Sequence, residues 1–163
     1  MNTFSLRMMV LLFSLGVAAT ASAGVTVAFV EPNKFTDMPF SPWEKDVVMK
    51  DLDQYLVKLG TKYLPSGQEL AIEITDVDLA GRIRLGTGRD IRVLTGGADW
   101  PMIELRYTLT AGGKTIDSGT QRVADMNYFQ SHLNTVGRSR ESLYYEKAML
   151  NDWFKAKFAP QSH

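Results

Sequence analysis

Met102 to Thr110 reads MIELRYTLT, and this stretch decides the fold. Ile103, Leu105, Tyr107 and Leu109 alternate with Met102, Glu104, Arg106 and Thr108, a period of two that predicts a strand with one face inward and one outward. Ala111-Gly112-Gly113-Lys114 follows, and paired glycines accept the positive φ of a tight hairpin turn. Thr115 to Val123 then returns as the partner strand. Burial of Ile103, Leu105, Tyr107 and Leu109 contributes roughly 1.5–3 kcal/mol each, so this hairpin needs a cover.

Two helical segments supply it. Ser41-Pro42-Trp43-Glu44 predicts a helix start. Ser41 accepts from the Glu44 N–H, Glu44 reaches back to the Ser41 N–H, and Pro42 takes the first helical position. Val47, Val48, Leu52, Tyr55, Leu56, Leu59 and Tyr63 follow at helical spacing as one buried stripe, with Gly60 fraying the last turn before Pro65-Ser66-Gly67. Residues 143–158 form the closing helix, with Met149, Leu150, Trp153, Phe154 and Phe158 on its apolar side. Residues 25–30 (VTVAFV), ahead of the first helix, and 68–79 (QELAIEITDVDL), after it, read as strands. Residues 80–99, with glycines at 81, 86, 88, 96 and 97, read as a hairpin or an irregular loop, and 124–141 as a long connection. The expected fold is α+β: a small antiparallel or mixed sheet of about four to five strands, with two helices packed on one face. Trp43, Trp100 and Trp153 are read as core and edge packing, and the Glu146-Lys147 and Asp152-Lys155 pairs as surface charges.

The N-terminus carries an export pattern: Arg7, the 12-residue apolar run Met8–Ala19, and the small-x-small site Ala21-Ser22-Ala23. Ala19-Thr20-Ala21 is a second possible site. At ~1.5 Å per residue the run spans roughly 18 Å, short of a ~30 Å hydrocarbon core. Residues 1–23 are therefore expected to be a cleavable signal peptide that leaves no membrane anchor, and 24–163 a single α+β domain. The expected location is the periplasm, or outside the cell if the source is not Gram-negative. The chain has no cysteine, which removes disulfides, thiol nucleophiles and lipid attachment at a cysteine. Without residues 1–23 it carries 17 Lys+Arg against 18 Asp+Glu, so no global charge draws it to nucleic acid or an anionic membrane.

Three clusters could carry chemistry. Asp76 and Asp78 share strand parity with Ile72 and Ile74, which predicts two carboxylates leaving one face near a strand end. Such a pair can bind a hard cation or shift its own pKa values for acid–base work. The structural alternative has them accept backbone N–H groups or pair with Arg82, Arg84 or Arg106. Arg82, Arg84, Arg89 and Arg92 surround Gly86-Thr87-Gly88, a pattern able to hold an anion or to decorate a solvated hairpin. Asp125, Asn127 and Tyr128 read as turn chemistry or as a functional loop. His132 and His163 make no zinc pair, and no Gly-x-Ser-x-Gly elbow exists. No catalytic residue, metal or cofactor is assigned.

Five segments resemble a family of small exported proteins of Gram-negative bacteria known as domain of unknown function 3016. They are Val25–Phe29 with Lys34-Phe35-Thr36-Asp37, Ile74–Gly81, Trp100-Pro101-x-Ile103-Glu104-Leu105-Arg106-Tyr107, Asp125-Met126-Asn127-Tyr128, and Tyr145-Glu146-Lys147-x-Met149-Leu150-x-Asp152-Trp153-Phe154. The resemblance implies export and a single domain, and brings no activity, ligand or catalytic residue. The Trp-Pro-x-Ile-Glu-Leu-Arg-Tyr hairpin also looks like sheet segments of small envelope accessory proteins. The leading expectation is a non-catalytic binding or envelope-accessory module, partnered by an envelope protein or a small anionic ligand. The alternatives are a periplasmic hydrolase using Asp76 and Asp78 with Arg106 or His132, and a carrier of small anions built on the arginine hairpin 82–92.

Overall fold

Gly112 and Gly113 adopt φ of 57° and 75° in a computed structural model that describes residues 23–84, 91–131 and 142–159. The positive φ at both positions turns the chain in two residues, with Ala111 opposite Lys114. The elements run β1 (Gly24–Phe29), a 3-10 turn (Pro32–Lys34), α1 (Pro42–Tyr63), β2 (Gln68–Asp78), β3 (Arg82–Arg84), β4 (Ile91–Val93), β5 (Met102–Ala111), β6 (Lys114–Ala124), α2 (Tyr128–Ser131) and α3 (Tyr144–Phe158). The signal-peptide reading of residues 1–23 falls outside the described residues except at Ala23.

The main sheet has the order β1-β2-β5-β6. β1 and β2 are parallel, and the other two pairs are antiparallel. A parallel pair needs a long crossover, and α1 supplies it. The fold is α+β with a mixed sheet, as expected; β3 and β4 form a separate two-stranded hairpin. Ile103, Leu105, Tyr107 and Leu109 all face the core, where they meet Leu52, Leu56 and Leu59 of α1 and Leu150, Phe154 and Phe158 of α3. The short α2 within the 124–131 stretch was not expected from the sequence.

The first helix departs from expectation in three details. Ser41 is the N-cap, but its side chain makes no capping bond. Pro42, Trp43 and Glu44 are exposed, so the orphan N–H groups of the first turn face water and need no side-chain acceptor. Trp43 is 72% exposed and Val47 44% exposed, so neither belongs to the core. The buried line is Val48, Leu52, Leu56 and Leu59, and Val47 lies about 100° around the helix from Val48.

Gly60 does not fray the helix. The helix continues to Tyr63, and the Leu64 N–H bonds the Gly60 carbonyl at 2.9 Å. A Cβ at Gly60 would overlap Val25 Cγ2 and lie 3.3 Å from Val25 Cβ, so this glycine is where α1 seats on β1. Gly60→Ala gains about 1 kcal/mol of helix propensity but forces an overlap costing about 1–3 kcal/mol. A net destabilisation of about 1 kcal/mol is expected in urea melts, relieved when Val25→Ala removes the opposing methyls. A Gly60→Ala protein more stable than the parent would place α1 elsewhere.

Candidate functional site

β2 carries a bulge between Ile74 and Asp76, which leaves Thr75 without a cross-strand partner on β5. One extra residue reverses the side-chain alternation. Ile72 and Ile74 are buried, and after the bulge Val77 is buried instead. Asp76 and Asp78 therefore share parity with each other but not with Ile72 and Ile74, because the bulge turns them away from the core. Without it both carboxylates would be buried among leucines and isoleucines.

Asp76 holds down the 31–40 loop. Its Oδ1 accepts the Thr36 N–H at 2.7 Å and the Val77 N–H at 2.9 Å, and its Oδ2 accepts the Thr36 hydroxyl at 2.6 Å. The structural alternative holds in kind, with backbone donors, but the arginines named for it lie elsewhere. Arg106 pairs with Glu73 at 2.9 Å, and Arg82 and Arg84 are exposed. The cation beside the acids is Arg92. Burial, then the charges of Asp37 and Asp76, raise the Asp78 pKa above its ordinary value, and Arg92 opposes them.

Arg92 projects from β4 to the end of β2. Its Nη1 donates to Asp37 Oδ2 at 2.7 Å and is shared among the carbonyls of Leu79, Ala80 and Gly81 at 3.2–3.3 Å. Its Nη2 is buried and meets no acceptor among the described residues. Ala80 is the hinge of the site. Its carbonyl accepts from Arg92, while its N–H donates to Glu146 Oε1 at 2.8 Å. Arg92 and Glu146 thus meet the two peptide units on either side of the Ala80 Cα and line one cleft of about 280 Å³, walled by Leu94, Leu143, Tyr144 and Tyr145. Leu143 sits at φ 55°, a left-handed conformation costing of order 1–3 kcal/mol in a residue with a Cβ. Strain, a buried acid and a donor without an acceptor converge here.

Glu146 and Lys147 are not surface charges. Glu146 is 3% exposed, and Lys147 is buried with its Nζ 2.9 Å from Asp51. The first turn of α3 faces the end of β2 and α1 rather than solvent. The signal was present: Glu146, Leu150, Phe154 and Phe158 recur every four residues on one stripe. Burial raises the Glu146 pKa, against the Ala80 N–H and the charges of Arg92 and Lys147. An acid with a raised folded pKa loses stability as pH climbs from the ordinary carboxylate range through that folded value. Glu146→Gln keeps the oxygen that accepts from Ala80 and removes the charge. Its melting temperature should match the parent near pH 4 and exceed it increasingly toward neutral pH; equal curves across that range would contradict a buried, charge-penalised Glu146.

The other sequence candidates fall elsewhere. Asp125 Oδ1 accepts the Asn127 N–H at 2.9 Å and its carbonyl accepts the Tyr128 N–H at 3.3 Å, which is turn chemistry. Arg89, Gly86-Thr87-Gly88, His132 and His163 lie outside the described residues. Among the described residues, no group of three or more acids or histidines is placed to hold a metal ion. The sequence reading missed Asp99, which is 7% exposed and receives the N–H and hydroxyl of Thr95, the Gly97 N–H and the Tyr128 hydroxyl. This network fixes the 94–99 segment, and with it the Leu94 wall of the cleft.

A family model described as Protein of unknown function (DUF3016) matches residues 23–156. No curated protein matches the chain. Among solved structures, a minor lipoprotein from Acinetobacter baumannii is similar over 85% of this chain and 89% of its own, at 12% identity and a TM-score of 0.25. That likeness is too loose to carry fold or function across.

Proposed function

The chain belongs to the family described as protein of unknown function (DUF3016), and on that footing we propose that it is an exported binding module that holds a small ligand in the Arg92–Glu146 cleft. The observation that carries this reading is the cleft of about 280 Å³ itself, in which Arg92 and Glu146 meet walls from Leu94 and Leu143. A concave cleft with apolar walls and a few convergent polar groups is the usual form of a small-ligand site, and this one lies at the low end in size. Asp76 is engaged by the N–H and hydroxyl of Thr36 in the 31–40 loop, Asp125 by the Asn127 N–H, and Arg106 by Glu73. This favours holding a ligand over hydrolysing one. Export to the periplasm rests on Arg7, the Met8–Ala19 run and Ala21-Ser22-Ala23. Among the described residues, no helix is long and apolar enough to cross a membrane.

The test is native mass spectrometry of the protein recovered from a periplasmic extract. The expected spectrum shows the chain without its first 23 residues, carrying extra mass that denaturation removes. Unprocessed chain confined to the cytoplasm would defeat the export reading. Processed chain of bare mass would defeat the ligand reading and turn the search to an envelope protein partner.

A further inference from the structure

We propose that the free edge of β6 is a docking site for an extended, basic segment of a partner polypeptide, added to the sheet as a new outer strand with alternate side chains in the groove between β6 and α3. The site is independent of the Arg92–Glu146 cleft. β6 ends the sheet order β1-β2-β5-β6. The Asp125 N–H bonds the Pro101 carbonyl at 3.3 Å, in register with the Ala124–Met102 pair. Bonded and non-bonded pairs alternate along an antiparallel ladder. Gln121 and Val123 therefore turn their N–H and C=O groups to β5, and Thr120, Arg122 and Ala124 turn theirs outward. The Ser118 N–H, which also faces out, is taken by the Asp117 carboxylate. Among the described residues, nothing pairs with the outward groups of Thr120, Arg122 and Ala124. Sheet edges are normally guarded by proline, lysine or a bulge. Here the bulge lies near the turn, at Ile116, and residues 117–124 contain neither proline nor lysine. A regular row of unpaired N–H and C=O groups fits one kind of occupant, a second extended backbone.

The groove chooses the side chains. α3 runs beside β6 in the opposite direction: Lys157 pairs with Asp117 at the start of the strand, and Met149 and Asp152 share the groove with Val123 and Asp125 at its end. The space between strand and helix measures about 640 Å³, with Val123, Met149, Trp153 and Ala156 as its apolar surface. Residues of an added strand opposite Gln121 and Val123 point toward α3 and reach that surface. Those opposite Thr120, Arg122 and Ala124 lie on the open face of the sheet. Charge sets the next position. Asp152 and Asp125 line the groove, and Arg122 at its rim is held on the open face by Glu104 at 2.8 Å. A lysine or arginine opposite Asp125 meets these acids. A second copy of this chain is the poorer occupant. Its own β6, laid antiparallel, offers Asp117, Gly119 or Gln121 opposite Val123, two polar side chains and one position with none.

The probe is the peptide Ac-TKTVTVT-NH2, whose lysine and two valines fall opposite Asp125, Val123 and Gln121 in antiparallel register. A version with glutamate for lysine is the control. The full chain, as purified after export, should sediment as a monomer. In it the Thr120, Arg122 and Ala124 amides should exchange quickly with solvent, and the Gln121 and Val123 amides slowly. Saturating lysine peptide should slow the first three at least tenfold. Fluorescence anisotropy of labelled peptides should show the lysine version binding at least threefold tighter than the glutamate version at low salt. Thr120→Pro removes one outward N–H and leaves the ladder to β5 intact, so it should weaken binding at least tenfold. Thr120→Ala changes only the open face and should bind as the parent does. Asp152→Lys, at an exposed position of α3, should reverse the preference between the two peptides. Failure of the lysine peptide to bind, or binding unchanged in Thr120→Pro, would overturn the proposal. A dimer with the three amides already protected would also overturn it, by giving the edge to a second copy. Equal binding of the two peptides, or a preference that survives Asp152→Lys, would overturn the basic character assigned to the partner.

Discussion

Leu105→Ala is expected to lower stability by about 2–5 kcal/mol, the range for deleting a fully buried leucine side chain and leaving a cavity. Leu105 has no exposed surface. It sits mid-way along β5, the strand flanked by β2 on one side and β6 on the other, with Ile74 and Gln121 as its cross-strand neighbours. Both helices pack on its face, so the sheet and two helices would have to move together to refill the space, and close-packed interiors relax only in part. The control is one residue away. Arg106 points to the opposite face, where its ion pair with Glu73 is about half exposed on both sides. Arg106→Ala should cost no more than about 1 kcal/mol. Urea denaturation should show a large drop in midpoint for the first variant and a small one for the second, at similar slope. Equal drops would mean that the alternation read from MIELRYTLT has the wrong parity.

That alternation was legible because a strand with one face buried must repeat every two residues, and nothing in 102–110 interrupts it. The second strand shows where the same reasoning fails. Its period holds from Leu70 to Ile74, and extrapolating it puts Asp76 and Asp78 on the core face. The bulge at Thr75 adds a residue to one strand only. No glycine or proline marks it. The clue was physical: two aspartates at positions that would have been core, followed by a valine, conflict with burial unless the parity changes. The helices show a similar split. The spacing in 144–158 shows the stripe, but a charged residue type reads as exposed at Glu146, whose four-residue spacing to Leu150 places it on the buried side. Arg92 was legible as a member of an arginine cluster. Its partners Asp37, 55 residues away, and the Leu79–Gly81 carbonyls depend on how β4 folds back along β3 beside the end of β2, which local pattern does not encode.

Asp99→Ala is expected to cost about 3 kcal/mol, a large loss for a residue outside every strand and helix. The carboxylate accepts four hydrogen bonds: from the Thr95 N–H at 2.8 Å, the Thr95 hydroxyl at 2.7 Å, the Gly97 N–H at 2.9 Å and the Tyr128 hydroxyl at 3.0 Å. Its own carbonyl accepts the Gly81 N–H at 2.8 Å, which ties the segment to the start of β3. Alanine keeps that backbone bond but leaves donors in a buried place without acceptors, at about 1–3 kcal/mol for each that water cannot reach. Tyr128→Phe removes one donor instead of the shared acceptor and should cost about 1 kcal/mol. The pH dependence separates this acid from Glu146. Burial alone would raise the Asp99 pKa, but the bonds from Thr95, Tyr128 and Gly97 outweigh it and hold the group below its ordinary value. The stability it supplies is therefore present above the ordinary carboxylate pKa and fades as pH falls through the lower folded value. Glu146, shifted upward, acts with the opposite sign and weakens the fold as pH rises. Asp99→Ala should accordingly flatten the acid limb of the stability profile, and Glu146→Gln should lift its neutral limb. An Asp99→Ala profile that runs parallel to the parent from pH 3 to pH 7 would mean that folding leaves the Asp99 pKa where the unfolded chain has it, and that the four bonds do not favour its charged form.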